Sequence, residues 1–158
     1  MAMIRAAVEA DIPAVVGCVE ALMRELGDPD DRLVPDAFDI CRRFMARPGN
    51  AVYVAVAEAD SRSHDHSICG AMTLEQGLTL YAGGVFGTIR ELYVLLEHRS
   101  RGVGHELIRR AIEHGRSHGW RRIEVTAPDM PRWLRTKVFY EREGFVDAGP
   151  KLKLVVSP

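Results

Sequence analysis

The chain has 158 residues, 47% of them apolar, with 21 basic and 22 acidic side chains and a formal charge of −1. A chain of this length buries about two-thirds of its unfolded surface around one core, so a single domain is expected across residues 1–158. The balanced charge offers no global field for nucleic acid or an anionic membrane, and neither partner is expected. Cys18, Cys41 and Cys69 form an odd set without a CxxC spacing, and no apolar N-terminal run has the pattern of a secretory signal. A reduced cytoplasm is the natural compartment for such a chain. No stretch approaches the roughly 20 apolar residues of a membrane-spanning helix, so a soluble protein is expected.

The first short run, Ile4 to Val8, precedes Asp11-Ile12-Pro13, an N-cap candidate with a first-turn proline, and predicts a helix to about Leu26. Gly27 and the acidic Asp28-Pro29-Asp30-Asp31 break it. Pro35-Asp36 opens a second helix in which Phe38, Cys41, Phe44 and Met45 recur at helical spacing, and Pro48-Gly49-Asn50 ends that helix. Then come three β-rich runs, AVYVAVAEA from Ala51, ICGAMTLEQGLTL from Ile68 and GTIRELYVLLE to Glu97, separated by a polar loop and by Ala82-Gly83-Gly84. They should pair as an antiparallel meander. Beyond them the pattern predicts a helix over Gly102 to His118, a short strand over Arg122 to Thr126, a helix over Pro131 to Glu143 and a last strand over Lys151 to Val156. The expected class is α/β, with a mixed, mostly antiparallel sheet and helices on its faces.

The junction EHRSRGVGHEL, Glu97 to Leu107, follows a strand with two arginines and two close glycines and then enters a helix. At about 100° per residue, Val103, Leu107, Ile108, Ala111 and Gly115 share one arc, with Glu106, Arg109, Arg110, Glu113 and Arg116 opposite. The first-turn N–H groups have no partners within such a helix, and with the helix dipole they form an anion site. Gly102 and Gly104 let a phosphate approach the backbone, while Arg99 and Arg101 add charge. An ordinary strand-to-helix connection with solvated arginines is the other reading of the same spacing. A dinucleotide fingerprint fails because position 107 is Leu where a third glycine is needed, and no Gly-Lys-Ser/Thr exists for a Walker loop. HELIR, from His105, starts like a zinc-protease helix but carries Arg109 where the second ligand belongs.

ELYVLLEHRSRGVGHEL, with FYEREGF from Phe139 to Phe145, resembles the GNAT superfamily of acetyl-CoA-dependent N-acetyltransferases. The signature Q/R-x-x-G-x-G/A stands as Arg99-Ser100-Arg101-Gly102-Val103-Gly104, and the likeness extends to the whole order of elements. The resemblance implies a GNAT-type sheet of about six to seven strands flanked by four helices, with splayed strands at the cofactor site. It also implies acetyl-CoA as co-substrate, no metal, and an amine acceptor on a small molecule or protein. Arg99, Gly102 and Gly104 would hold the CoA pyrophosphate, with the amides of Arg101, Val103 and His105 extending the cradle. Tyr93, Val94 and Leu95, at the end of the preceding strand, would pair with the pantetheine arm. The family often places Asn and a small residue seven and four positions before the tyrosine of FY; here Trp133 and Thr136 stand there.

Acetyl transfer from a thioester to an amine needs a neutral nucleophile, a donor for the tetrahedral oxyanion and a proton for the departing thiolate. An amine of pKa about 10.4 is mostly charged at neutral pH, so a base or water relay is useful. Strand alternation puts Ile89, Glu91, Tyr93 and Leu95 on one face and Arg90, Leu92, Val94 and Leu96 on the other. Burial there would raise the pKa of Glu91 into a useful range for a base; a salt-bridged or edge-exposed glutamate is the alternative. Glu97, beside Arg99, suits a structural partner better. Tyr140 stands where the family often places the general acid, and it also suits a core position beside Phe139 and Phe145. The oxyanion donor would be a backbone N–H, with Val94 the candidate.

His114 and His118 are spaced i, i+4, but lie near the apolar arc and are expected to pack rather than bind metal. His64 and His66 fall in a polar loop. The seven arginines from Arg99 to Arg122 lack interleaved aromatic residues for stacking bases. Gly27 to Asp31 can steer a cationic amine or serve simply as a solvated connection. The alternating KLKLVV segment can close the chain's own sheet or pair with a second copy.

Overall fold

The computed structural model describes residues 2–27, 35–57, 67–127, 132–149 and 152–154. The chain divides into two compact units, Met1–Val125 and Thr126–Pro158.

The first unit is built on one sheet. Strands β1 (Met3–Ala6), β2 (Ala51–Val56), β3 (Ile68–Thr79), β4 (Gly84–Val94) and β5 (Ile123–Val125) lie in the order β1-β2-β3-β4-β5. The first four pair antiparallel and β5 joins β4 in parallel. The expected meander is therefore present. Between β1 and β2 run helices α1 (Ile12–Leu26) and α2 (Ala37–Met45), and α3 (Val103–Ser117) connects β4 to β5.

Each sheet face has its own helices, because period-2 alternation sorts the strand side chains into two sets. Val52, Val54 and Val56 of β2, with Ala71 of β3 and Tyr93 of β4, join Val15 and Cys18 of α1 in one buried cluster, against which Phe44 and Met45 of α2 pack. On the other face Tyr53 of β2 reaches His114 of α3. Met72, opposite Tyr53 in the register, shares that face and is fully buried, as are Leu107 and Ile108 of α3. The apolar arc expected for α3 is the buried one, with His114 added to it.

The faces of β4 differ from simple alternation. Thr73 pairs with Glu91 and Leu74 with Ile89, so Arg90 has no opposite residue and forms a bulge. One extra residue reverses the phase of the strand. Glu91 and Tyr93 consequently lie on the α1–α2 face, and Ile89 lies on the opposite face instead of beside them. The unpaired Arg90 side chain ion-pairs with Glu75.

Gly87, at the β4–β5 pairing, is required by packing, since a Cβ there would lie 1.9 Å from a ring carbon of Trp120. The Trp120 indole N–H donates to Gln76 Oε1 at 2.8 Å, making this tryptophan a plug at the base of the sheet.

The second unit holds α4 (Leu134–Arg142), which ends at Gly144 with φ +93°. The Gly144 N–H donates to the Glu141 carbonyl at 3.1 Å and the Phe145 N–H to that of Tyr140 at 3.0 Å, so this glycine ends the helix. Five strands are present among the described residues, fewer than the six to seven expected. Residues 152–154 of the expected last strand carry no strand, and Leu152 and Leu154 are exposed. Alternation supplies a face to bury but does not by itself make a ladder. The rest of that segment, the acidic run after Gly27 and the loop holding His64 and His66 lie outside the described residues. Among the described residues no helix is long and apolar enough to cross a membrane.

Candidate active site

The turn from Arg99 to Gly104 carries its backbone in two left-handed conformations. Ser100 has φ +60° and Gly102 φ +82°, and Gly102 is the N-cap of α3. No side chain caps this helix; its first intrahelical bond runs from the Glu106 N–H to the Gly102 carbonyl at 3.0 Å. The amides of Val103 and Gly104 precede that bond, so they have no acceptor within the helix. Among the described residues, no atom beyond Gly102's own chain neighbours lies within 4 Å of where a Cβ there would stand. Arg101 is exposed beside this glycine. Chemically this is a cradle of backbone donors with a cation at its rim.

The strand leading to the turn outruns its β5 partner. β5 pairs with β4 only at Gly87, Thr88 and Ile89. From Arg90 to Val94 no described strand occupies that side. The Leu95 N–H donates across to Cys69 of β3 at 2.9 Å, so alternation turns the Val94 N–H and C=O away from β3. The Val94 carbonyl accepts from Arg99 Nε at 2.8 Å.

Arg99 is anchored further by a residue the sequence did not single out. Its Nη2 donates to Glu25 Oε1 at 2.8 Å, and the Tyr93 hydroxyl donates to the same oxygen at 2.7 Å. The guanidinium carbon lies 5.0 Å from the Tyr93 ring centroid. Burial pushes the Glu25 carboxyl up, but the bonds from Arg99 and Tyr93 outweigh it and hold the group below its ordinary range. The same burial, with the Glu25 bond, raises the Tyr93 phenol. Glu97, the structural partner expected for Arg99, is exposed, and Arg99 ion-pairs instead with Glu25.

Glu91 lies in the stretch of β4 beyond its β5 pairs, with its own clamp. The Thr73 hydroxyl donates to Glu91 Oε2, and the Glu91 N–H donates back to Thr73 Oγ1 at 3.1 Å. Burial raises the carboxyl's pKa; the Thr73 bond and the Arg90 charge oppose it, Glu75 adds to it, and the net direction is upward. Cys41 of α2 is close enough for the Glu91 charge to raise its thiol further, after burial has done most of this. Thr73 faces Glu91 only through the cross-strand register, a relation no local motif displays.

Comparison with known proteins interprets this arrangement. The family model for the acetyltransferase (GNAT) domain matches residues 48–147, more than half of the chain. The chain belongs to the GNAT acetyltransferase family. Solved structures with the same fold include a transcriptional regulator from Bacillus halodurans C-125, 22% identical with a TM-score of 0.78 over 98% of this chain and 99% of that one. A putative acetyltransferase from Agrobacterium tumefaciens str. C58 is 21% identical, with a TM-score of 0.75 over 97% and 99% of the two chains. An aminoglycoside acetyltransferase, HMB0005, from an uncultured soil metagenomic sample is 16% identical, with a TM-score of 0.77 over 99% of each chain. No curated protein matches the sequence.

Within this GNAT chain, Glu91, Tyr93, Val94, Leu95 and the turn from Arg99 to His105 all fall in the first unit, around the end of β4. Tyr140 belongs to the second unit. It is buried, its ring packing 5.2 Å from that of Phe139 and 5.4 Å from that of Phe145, and burial pushes its phenol up to about 12. His114 is a packed residue. Its Nε2–H donates to the Gly49 carbonyl at 3.0 Å, which leaves Nδ1 of the neutral ring to accept from the Tyr53 hydroxyl at 3.0 Å. His118 stacks on it at 3.9 Å. Among the described residues no group of three or more His, Cys, Asp or Glu side chains is placed to hold a metal ion.

Proposed function

We propose that this chain works as a single cytoplasmic domain that transfers an acetyl group from acetyl-CoA to a primary amine of a small molecule or protein. The observation that carries the reading is the glycine N-cap of α3, left-handed at Gly102, directly after the stretch of β4 that β5 does not pair. A diphosphate suits the one and an extended amide-bearing arm the other, because a helix N-terminus offers donors to an anion and a strand edge can take an added strand.

In this reading the amides of Arg101, Gly102, Val103, Gly104 and His105 hold the pyrophosphate, and Arg101 adds its charge. Arg99 stands at the head of the turn and completes that end of the site. The backbone of Tyr93, Val94 and Leu95 takes the pantetheine arm as an added strand. Acetyl-CoA contributes an acyl group activated as a thioester. Glu91, with its raised pKa, takes the proton of the amine directly or through water. The Val94 N–H, facing away from β3, donates to the oxyanion. Tyr140, kept protonated by burial, gives its hydroxyl proton to the sulfur.

The acceptor would approach from the α1–α2 face, on which Glu91 lies. The aminoglycoside acetyltransferase among the fold neighbours makes aminoglycosides a reasonable start to an amine panel, beside polyamines and lysine or N-terminal peptides. The test is thiol release from acetyl-CoA across that panel, repeated with longer acyl-CoA donors. Release with at least one amine, abolished in the Glu91→Gln variant, supports an N-acetyltransferase. Binding of acetyl-CoA with no release from any pairing would instead favour a non-catalytic acyl-CoA module, and release confined to longer donors would reassign the acyl group.

A further inference from the structure

Arg99 occupies the first position of the turn, yet its guanidinium points back into the protein. Nε and Nη2 are already engaged, by the Val94 carbonyl and by Glu25, each at 2.8 Å. These nitrogens present two donors on one edge of a planar fork, an arrangement a lysine cannot reproduce. Glu25 belongs to the last turn of α1, 74 residues away in sequence, and its Oε1 also takes the Tyr93 hydroxyl. The consequence reaches the cofactor edge. Val94 C=O and Leu95 N–H share one peptide plane, which Arg99 holds from one side and the Cys69 carbonyl from the other.

We propose that Glu25 is a positioning residue for the cofactor site, holding Arg99 against the Val94 carbonyl so that this arginine fixes the end of β4 rather than binding phosphate. The inference rests on the acetyl-CoA reading and deepens it. Arg101, exposed in the turn, is then the side-chain cation for the pyrophosphate. The Glu25 carboxylate supplies both the geometry and the countercharge that keep Arg99 turned inward.

The experiment is calorimetric titration of acetyl-CoA into wild type, Glu25→Gln, Arg99→Gln, Arg99→Lys and the double variant Glu25→Gln/Arg99→Gln, each checked by thermal melting. A positioning role predicts that Glu25→Gln weakens binding by about three- to tenfold. Arg99→Lys, which keeps the charge but not the fork, should lose about as much as Arg99→Gln, and the double variant should be no worse than Arg99→Gln alone. A phosphate-binding arginine predicts the opposite sign: Glu25→Gln would tighten binding by releasing the guanidinium, and Arg99→Lys would retain most of it. Tighter or unchanged binding in Glu25→Gln, or additive losses in the double variant, overturns the inference while leaving the acetyl-CoA reading intact. Should Glu25→Gln fail to fold, the Arg99→Lys and Arg99→Gln pair still decides: equal losses support the role and a retained affinity in Arg99→Lys overturns it. If folded wild type binds no acetyl-CoA, the reading itself fails and the inference with it.

Discussion

Opposing influences meet at the Glu91 carboxyl. Burial disfavours its charge, while the Thr73 hydroxyl and the Arg90 guanidinium favour it, and the net shift is upward. A base works only when deprotonated, so kcat/KM should fall as pH drops through a pKa above the ordinary glutamate value of about 4.3. Thr73→Val removes a bond that lowers this pKa, and the acidic limb of the pH profile should move further up, whereas Thr73→Ser should leave it in place. Glu91→Gln should abolish that limb and reduce the rate by about 10²- to 10⁴-fold. Tyr140→Phe, losing only the hydroxyl, should lower kcat about 10-fold or more with little change in the melting midpoint. Glu91 was legible in the sequence as a carboxyl among apolar neighbours on a strand. Thr73 and Glu25 were not, because each meets its partner through tertiary register, 18 and 68 or more residues away in sequence.

Helix α3 shows what periodicity does and does not reveal. Its buried arc followed from spacing alone, and Leu107, fully buried on it, should cost about 2–5 kcal/mol when cut to Ala, read from the urea midpoint. The polar member of that arc, His114, has a pKa lowered chiefly by burial and further by His118 and Arg110, against the Gly49 bond. A group that binds a proton more readily unfolded than folded makes stability fall as pH drops through its unfolded pKa, about 6.5 for histidine. Thermal midpoints should therefore decline between about pH 7.5 and 5.5, and His114→Gln should flatten that decline. β4 is the contrasting case. Alternation predicted Ile89 and Glu91 on one face, and the bulge at Arg90 separated them. Nothing local marks this bulge: its residue is neither glycine nor proline, and it follows from how the long β3–β4 hairpin pairs from both ends.

At the scale of the molecule, the order of elements was readable from patterning because each helix and strand carries its own period and its own glycine or proline boundary. Over residues 152–154 the expected last strand was not, since the segment has the alternation of a strand but pairing depends on a neighbour that sequence does not specify. The functional account depends on one place, where β4 loses its β5 partner and α3 begins without a side-chain cap. Gly102 is a poor position at which to test it, because φ +82° would strain any replacement. Gly104 lies inside the first turn of α3 and is not among the positive-φ residues, so Asp fits its backbone and the helix dipole favours the added charge. The decisive measurement is calorimetric binding of acetyl-CoA to wild type and to a folded Gly104→Asp variant. The account predicts binding in the wild type and a loss of about tenfold or more in the variant, as the new carboxylate competes for the amides and repels the diphosphate. No binding by folded wild type, or equal binding by both proteins, would contradict it.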